Sequence, residues 1–121
     1  MEKKLLIIDD SEQDRKIMKR FLSKAGFEDI TLAETGESGL QKVAEVKPDI
    51  VILDTLLPGI SGFEVCKRIR EVHGPETPKV IIMTGNVDAI DAVEARRSGA
   101  DDYCVKTSDY GPMIEAVKKL V

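Results

Sequence analysis

Five polar residues close four apolar runs in this chain. Asp9 and Asp10 follow Leu5-Leu6-Ile7-Ile8, Asp54 follows Ile50-Val51-Ile52-Leu53, Thr84 follows Val80-Ile81-Ile82-Met83, and Lys106 follows Tyr103-Cys104-Val105. A buried lone carboxylate is costly enough that it is ordinarily paired, bound to a metal or exposed. Pro58 and Gly59 turn the chain soon after Asp54, which places that carboxylate at a strand end. Three clustered carboxylates resist simultaneous ionisation. A hard divalent cation such as Mg²⁺ relieves the repulsion, with a few carboxylates, waters and a phosphate oxygen as ligands. Lys106 supplies further positive charge. A carboxylate can also attack phosphorus to give an acyl phosphate. Such a transfer asks mainly for positioning and charge neutralisation, and Thr84 could hydrogen-bond a phosphoryl oxygen.

Each residue alone has an ordinary explanation. An aspartate after a strand commonly caps a turn or helix, an Asp-Asp pair before a helix is often two solvated caps, and a lysine at a strand end usually lies at the surface. Joint placement carries the chemistry, because the first, third, fourth and fifth strands deliver acid, acid, hydroxyl and ammonium to the same end of the sheet.

That edge exists only if the elements alternate. Strands are predicted at 4–9, 29–33, 50–54, 79–84 and 102–106, with amphipathic patterns between them. The first helix shows Ile17, Met18, Phe21, Leu22 and Ala25 and ends at Gly26. The second is anchored by Leu40, Val43 and Ala44. The third opens on Ser61-Gly62-Phe63-Glu64, a capping-box pattern, and presents Val65, Cys66, Ile69 and Val72. The fourth, about 88–98, has an inward stripe of alanines with Ile90 and Val93, and burying little apolar area makes it the loosest-held element expected. The last begins near Pro112 and shows Met113, Ile114, Val117, Leu120 and Val121. The first, third and fourth strands are continuous apolar runs, as in the interior of a parallel sheet; the second alternates, the fifth is mixed, and both read as edges. Right-handed crossovers then give an α/β fold, a doubly wound five-stranded parallel sheet of order 2-1-3-4-5 with helices on both faces. Ligands of such sheets bind where the winding reverses, between strands one and three.

Composition bounds the rest. The chain has 121 residues, 42% hydrophobic and 33% charged, which fits one ordinary globular domain rather than a disordered chain. A net charge of −4 argues mildly against broad nucleic-acid or membrane-surface binding. No apolar run approaches membrane-spanning length, and the start has no signal-peptide cleavage site, so a cytoplasmic protein is expected. Cys66 and Cys104 lack metal-type spacing and read as reduced thiols in or near the core. His73 reads as a solvated or capping residue near a helix end.

The set IIDD, LDTLLPGISG, MTG and GADDYCVK, in that order and spacing, resembles the receiver domains of two-component response regulators, with their flavodoxin-like, CheY-like fold. The resemblance covers essentially the whole chain, 1–121, as one receiver domain, similar to the stand-alone chemotaxis type. It implies that Asp54 accepts a phosphoryl group from a histidine kinase or phosphotransfer protein. It also implies that Asp9, Asp10, Asp54 and the backbone carbonyl of Leu56 hold Mg²⁺, and that Lys106 contacts the phosphoryl group. Thr84 and Tyr103 would be switch residues, Thr84 turning toward the phosphoryl group and Tyr103 moving from outside to inside. The fourth helix, fifth strand and fifth helix would form the face for a downstream protein target. The implied protein is a signalling phosphoacceptor rather than an enzyme, promoting its own phosphorylation and dephosphorylation. It would be monomeric or a phosphorylation-dependent dimer, with no direct nucleic-acid or membrane partner.

The chain departs from the family pattern in places. Thr107 stands where proline usually follows the lysine with a cis bond; without proline a cis bond costs about 2.5–4 kcal/mol, which leaves a trans bond, or a cis one only under strain. Leu57 replaces a common methionine, and Gly85 a frequent alanine. Leu56 and Asn86 occupy positions that flank the phosphoryl group in the family and tune its hydrolysis; an apolar Leu56 favours a long-lived phosphate. A receiver-like module controlled without phosphate is the second reading, opposed by the intact acidic pair, Asp54, Thr84 and Lys106. A flavin carrier would need a phosphate-cradling loop where the acidic IIDDSEQD lies, and a dehalogenase-type hydrolase a carboxylate where Leu56 stands. Neither fits.

Overall fold

The computed structural model describes residues 2–85 and 89–121, the last segment with side chains from residue 91 onward. Asn86, the start of the predicted fourth helix at 88 and the side chain of Ile90 lie outside the described residues. Strands β1 (Leu5–Ile8), β2 (Ile30–Ala33), β3 (Ile50–Asp54), β4 (Lys79–Thr84) and β5 (Asp102–Val105) alternate with helices α1 (Glu12–Lys24), α2 (Gly36–Val46), α3 (Gly62–His73), α4 (Ala89–Ser98) and α5 (Gly111–Leu120). All strand pairings are parallel and the order is β2-β1-β3-β4-β5, as the apolar runs predict. The predicted third and fourth strands coincide with β3 and β4, while the other three run one residue long at one or both ends: Asp9 lies just beyond β1 and Lys106 just beyond β5.

Because side chains alternate across a strand, each interior strand feeds two cores. Leu5, Ile7, Ile50, Ile52, Ile81 and Met83 pack with Met18 and Leu22 of α1 and Met113 and Val117 of α5. Leu6, Ile8, Val51, Leu53, Val80 and Ile82 pack with Val43 of α2, Val65, Cys66 and Ile69 of α3, and Ala95 of α4. Both cysteines are free and buried, and burial pushes both thiols up, Cys104 to about 11.

Two glycines let helices approach the sheet where a side chain would not fit. A Cβ on Gly39 of α2 would collide with Ile8, and one on Gly62, the first residue of α3, would collide with the Asp54 carbonyl oxygen. The Gly62 N–H donates to the Thr55 carbonyl at 3.0 Å. The chain leaving β3 therefore returns to its own starting point before α3 begins.

Several predicted core positions are corrected. Ala44 is exposed and Val72 is 75% exposed; both line an open groove of about 470 Å³ between α2 and α3 that also touches Leu40. Val93 is 46% exposed. Burial of Ala95 puts Val93, two residues earlier and roughly 200° around the helix, on the opposite side. Val121 follows the last helical residue and is also exposed. The capping box sits on α2, where Thr35 and Ser38 bond reciprocally. At α3, Ser61 accepts from the Glu64 N–H while the Glu64 carboxylate pairs with Arg68 at 3.0 Å.

At the amino ends of β4 and β5, Arg70 of α3 ties the turns together. Its guanidinium donates to the carbonyls of Gly99 (2.8 Å) and Pro78 (2.7 Å) and to the Asp101 carboxylate (2.8 Å), which also accepts from the Val80 N–H at 2.8 Å.

Candidate functional site: an acidic cup at the carboxyl ends of the strands

Pairing of β1 with β3 in register, Ile8 opposite Leu53, brings the residues that follow each run to one edge. Asp9, Asp10 and Asp54 each place one carboxylate oxygen within 4.8 Å of the others. Asp9 and Asp54 are buried and Asp10 is exposed. The Asp9 N–H donates to the Ala33 carbonyl at 3.0 Å, and one Asp9 oxygen accepts from the Ser11 N–H at 3.0 Å. Arg15 donates to the Asp9 carbonyl at 2.7 Å, fixing the turn into α1. The Thr55 N–H donates to the Met83 carbonyl at 3.0 Å, so the β3 ladder continues past Asp54.

The Lys106 N–H donates to the Thr84 carbonyl at 2.7 Å, which carries the lysine beside the cup. Its Nζ donates to Asp9 at 2.7 Å and to Asp14 at 2.9 Å, and lies 3.6 Å from Asp54 Oδ1. Burial works against the ammonium, but its bonds to Asp9 and Asp14 more than compensate and hold its pKa above the ordinary lysine range.

Asp54 behaves in the opposite way. Burial pushes its carboxyl up to about 6, with Asp9 and Asp10 adding repulsion. Lys106 pulls the other way without prevailing, since its hydrogen bonds go to Asp9 and Asp14. The cup thus holds an anionic charge that the protein leaves under-compensated. Its donor set is three hard carboxylate oxygens, which suits Mg²⁺.

Thr84 is buried at the end of β4. Tyr103 is half-buried in β5 and packs on the α3–α4 side of the sheet; its hydroxyl is fully enclosed with no hydrogen-bond partner among the described residues. Leu56 stands 81% exposed on the rim of the cup and Leu57 packs against the core. The one cis peptide bond among the described residues is Thr77–Pro78, so Lys106–Thr107 is trans. The loop after it is held by Asp109, which accepts from the Thr107 hydroxyl (3.0 Å) and the Gly111 N–H (2.9 Å).

Asp9, Asp10, Asp54 and Lys106 therefore meet, and Thr84 closes the neighbouring strand with its carbonyl on the Lys106 N–H. Asp14 is the member that sequence reasoning missed. An acid in the first turn of a helix ordinarily answers the helix dipole, and nothing in its local sequence points to a lysine on another strand.

A doubly wound parallel sheet whose switch point carries an acid cluster and a lysine defines the class. The family comparison agrees: residues 5–118 match the response regulator receiver domain, and the chain belongs to that family as a receiver domain of two-component response regulators. It is 43% identical over 102 residues to the transcriptional regulatory protein AfsQ1 of Streptomyces coelicolor, covering 84% of this chain and 44% of the relative. The chain spans under half the length of this and other curated relatives it matches. Among solved structures, the response regulator TrrA of Thermotoga maritima, in complex with Mg²⁺ and beryllofluoride, superposes with a TM-score of 0.88 at 35% identity, covering 98% of this chain and 99% of that one. The chemotaxis response regulator CheY4 of Vibrio cholerae, at 23% identity and a TM-score of 0.90 over the whole of both chains, shares the fold. No helix among the described residues is long and apolar enough to cross a membrane.

Proposed function

We propose that Asp54 is the phosphoacceptor of this receiver domain, that Asp9, Asp10, Asp54 and the Leu56 carbonyl hold Mg²⁺, and that Lys106 meets the phosphoryl group. The observation that carries this reading is the buried Asp54 carboxylate, flanked by two acids and 3.6 Å from Lys106 Nζ, with its charge under-compensated. A carboxylate oxygen of Asp54 attacks phosphorus as the P–N bond of a phosphohistidine breaks and the imidazole leaves. Held by these residues, Mg²⁺ would supply neutralisation of the charge that gathers at the transferring group. Lys106 donates a hydrogen bond to the phosphoryl oxygens, and Thr84, buried at the neighbouring strand end, supplies a hydroxyl. Water attack on the acyl phosphate reverses the modification, which makes the domain a participant in its own dephosphorylation.

Phosphorylation adds charge and acceptor oxygens at the strand ends. Thr84, the half-buried Tyr103 and the face formed by α4, β5 and α5 are the elements we assign to the readout, toward a downstream protein. The resemblance to transcriptional regulators fits a receiver that acts through protein contact, in the cytoplasm, with a histidine kinase or phosphotransfer protein upstream and with self-association open to control by phosphate.

Incubation with Mg²⁺ and acetyl phosphate, followed by intact-mass measurement, is expected to show one phosphoryl group gained, with loss of acetate, and no gain in Asp54→Ala. Mg²⁺ binding without any mass gain would instead favour a receiver-like module controlled without phosphate. Exposed, apolar Leu56 cannot orient an attacking water by hydrogen bonding. Leu56→Asn is therefore expected to shorten the phosphate's half-life several-fold, read by the decay of the phosphorylated mass after removal of acetyl phosphate. An unchanged half-life would show that the rim residue does not control water.

A further inference from the structure

Asp14 sits outside the acid cluster, in the first turn of α1, yet it takes one of the three N–H groups of the Lys106 ammonium at 2.9 Å. Asp9 takes another at 2.7 Å, and Asp54 Oδ1 at 3.6 Å lies beyond hydrogen-bond distance. The Asp14 carboxylate is held in place from its own backbone, whose N–H donates to the Ser11 hydroxyl that caps the helix. Among the described residues its one cationic partner is Lys106. Asp9 and Asp54 would have a bound cation to answer their charge. Asp14 would not.

We propose that Asp14 is a brake on phosphorylation, a positioning residue that acts through Lys106 to disfavour the phosphorylated state. This rests on the reading of Asp54 as phosphoacceptor. A phosphoryl group on Asp54 brings new negative charge and needs an N–H from Lys106. Asp14 opposes both, by competing for the ammonium and by like-charge repulsion across it. Its side chain is 33% exposed, so water screens part of the effect and the brake is moderate rather than absolute. Asparagine keeps the shape and an acceptor oxygen for Lys106 while removing the charge, so it separates the two roles Asp14 could have. A residue that merely held Lys106 in place would be replaced by asparagine without gain.

The test uses the full chain with Mg²⁺ and acetyl phosphate, followed by intact mass, with folding of each variant confirmed by urea unfolding. Asp14→Asn is expected to raise the rate constant for phosphoryl uptake roughly 3- to 10-fold, the scale of one partly screened charge. Asp14→Glu, which restores the charge, is expected to stay near the natural rate, and the Asp14→Asn advantage should shrink as salt is added. An unchanged or slower rate in Asp14→Asn overturns the proposal, as does an Asp14→Glu rate equal to that of Asp14→Asn. If the natural sequence takes up phosphate and Asp14→Asn does not differ, the brake alone fails. If the natural sequence takes up none, the phosphoacceptor reading fails and the brake falls with it.

Discussion

In chelator, Asp54→Asn is expected to be more stable to urea than the natural sequence by about 2–3 kcal/mol near pH 7.5, and the advantage should vanish toward pH 4. Burial raises the Asp54 carboxyl from 3.8 to about 6 in the folded chain. Between those two values the folded state holds a proton that the unfolded state has released. Stability contributed by this group is therefore lost as pH rises through that window, and the loss is complete and constant above it. Asparagine never ionises, so it escapes the loss. Lys106 keeps Asp9 and Asp14 as partners in the variant, which limits the cost of the substitution. Mg²⁺ should narrow the gap by stabilising the folded natural chain, since an ion that binds only the native state shifts the unfolding equilibrium. Equal stability of the two proteins near pH 7.5, or the same gap at both pH values, would contradict the account.

Arg70→Ala is expected to cost roughly 1–3 kcal/mol in urea unfolding, the range for leaving hydrogen-bond acceptors without their donor. The side chain is 11% exposed and donates to three carbonyls, those of Gly99, Pro78 and, at 3.5 Å, Gly74, as well as to Asp101. Alanine would leave those carbonyls without that donor and the carboxylate with the Val80 N–H as its remaining partner among the bonds described. Arg70→Lys should recover only part of the loss, because an ammonium cannot reproduce the planar fork. The network lies at the amino ends of β4 and β5, away from the acidic cup. Phosphoryl uptake should therefore survive under conditions where the variant remains folded. A loss below about 1 kcal/mol would mean that water replaces the guanidinium freely.

The sheet was legible in the sequence because its interior strands are covered on both faces, and continuous runs such as Leu5–Ile8 and Ile50–Asp54 have no other good use. The site was legible for the same reason: a charge directly after such a run has nowhere to go but the sheet edge, as with Asp9 and Asp54. What sequence reasoning lost were relations between elements. Asp14 reads as a helix-start acid until Lys106 is seen beside it. Arg70 and Asp101 are ordinary surface residue types until the fold closes them over the β4 and β5 ends. Val72 and Ala44 carry the right helical spacing, yet they line an open groove between α2 and α3 rather than the core. Gly39 and Gly62 contribute by lacking a side chain, which a pattern of apolar residues cannot register.

The close seat of Gly62 beneath the Asp54 carbonyl bears on ion choice. With the Gly62 N–H fastened to the Thr55 carbonyl, the segment bearing Leu56 is a ring closed at its base. The proposed Leu56 carbonyl ligand would sit on this closed ring, which limits how far it could move to suit a larger ion. Ca²⁺ wants six to eight oxygens at longer distances in a yielding shell, whereas Mg²⁺ accepts a tight octahedron. With the Leu56 carbonyl as the proposed ligand, a rim closed in this way would favour the smaller ion, and would do so before any phosphate arrives.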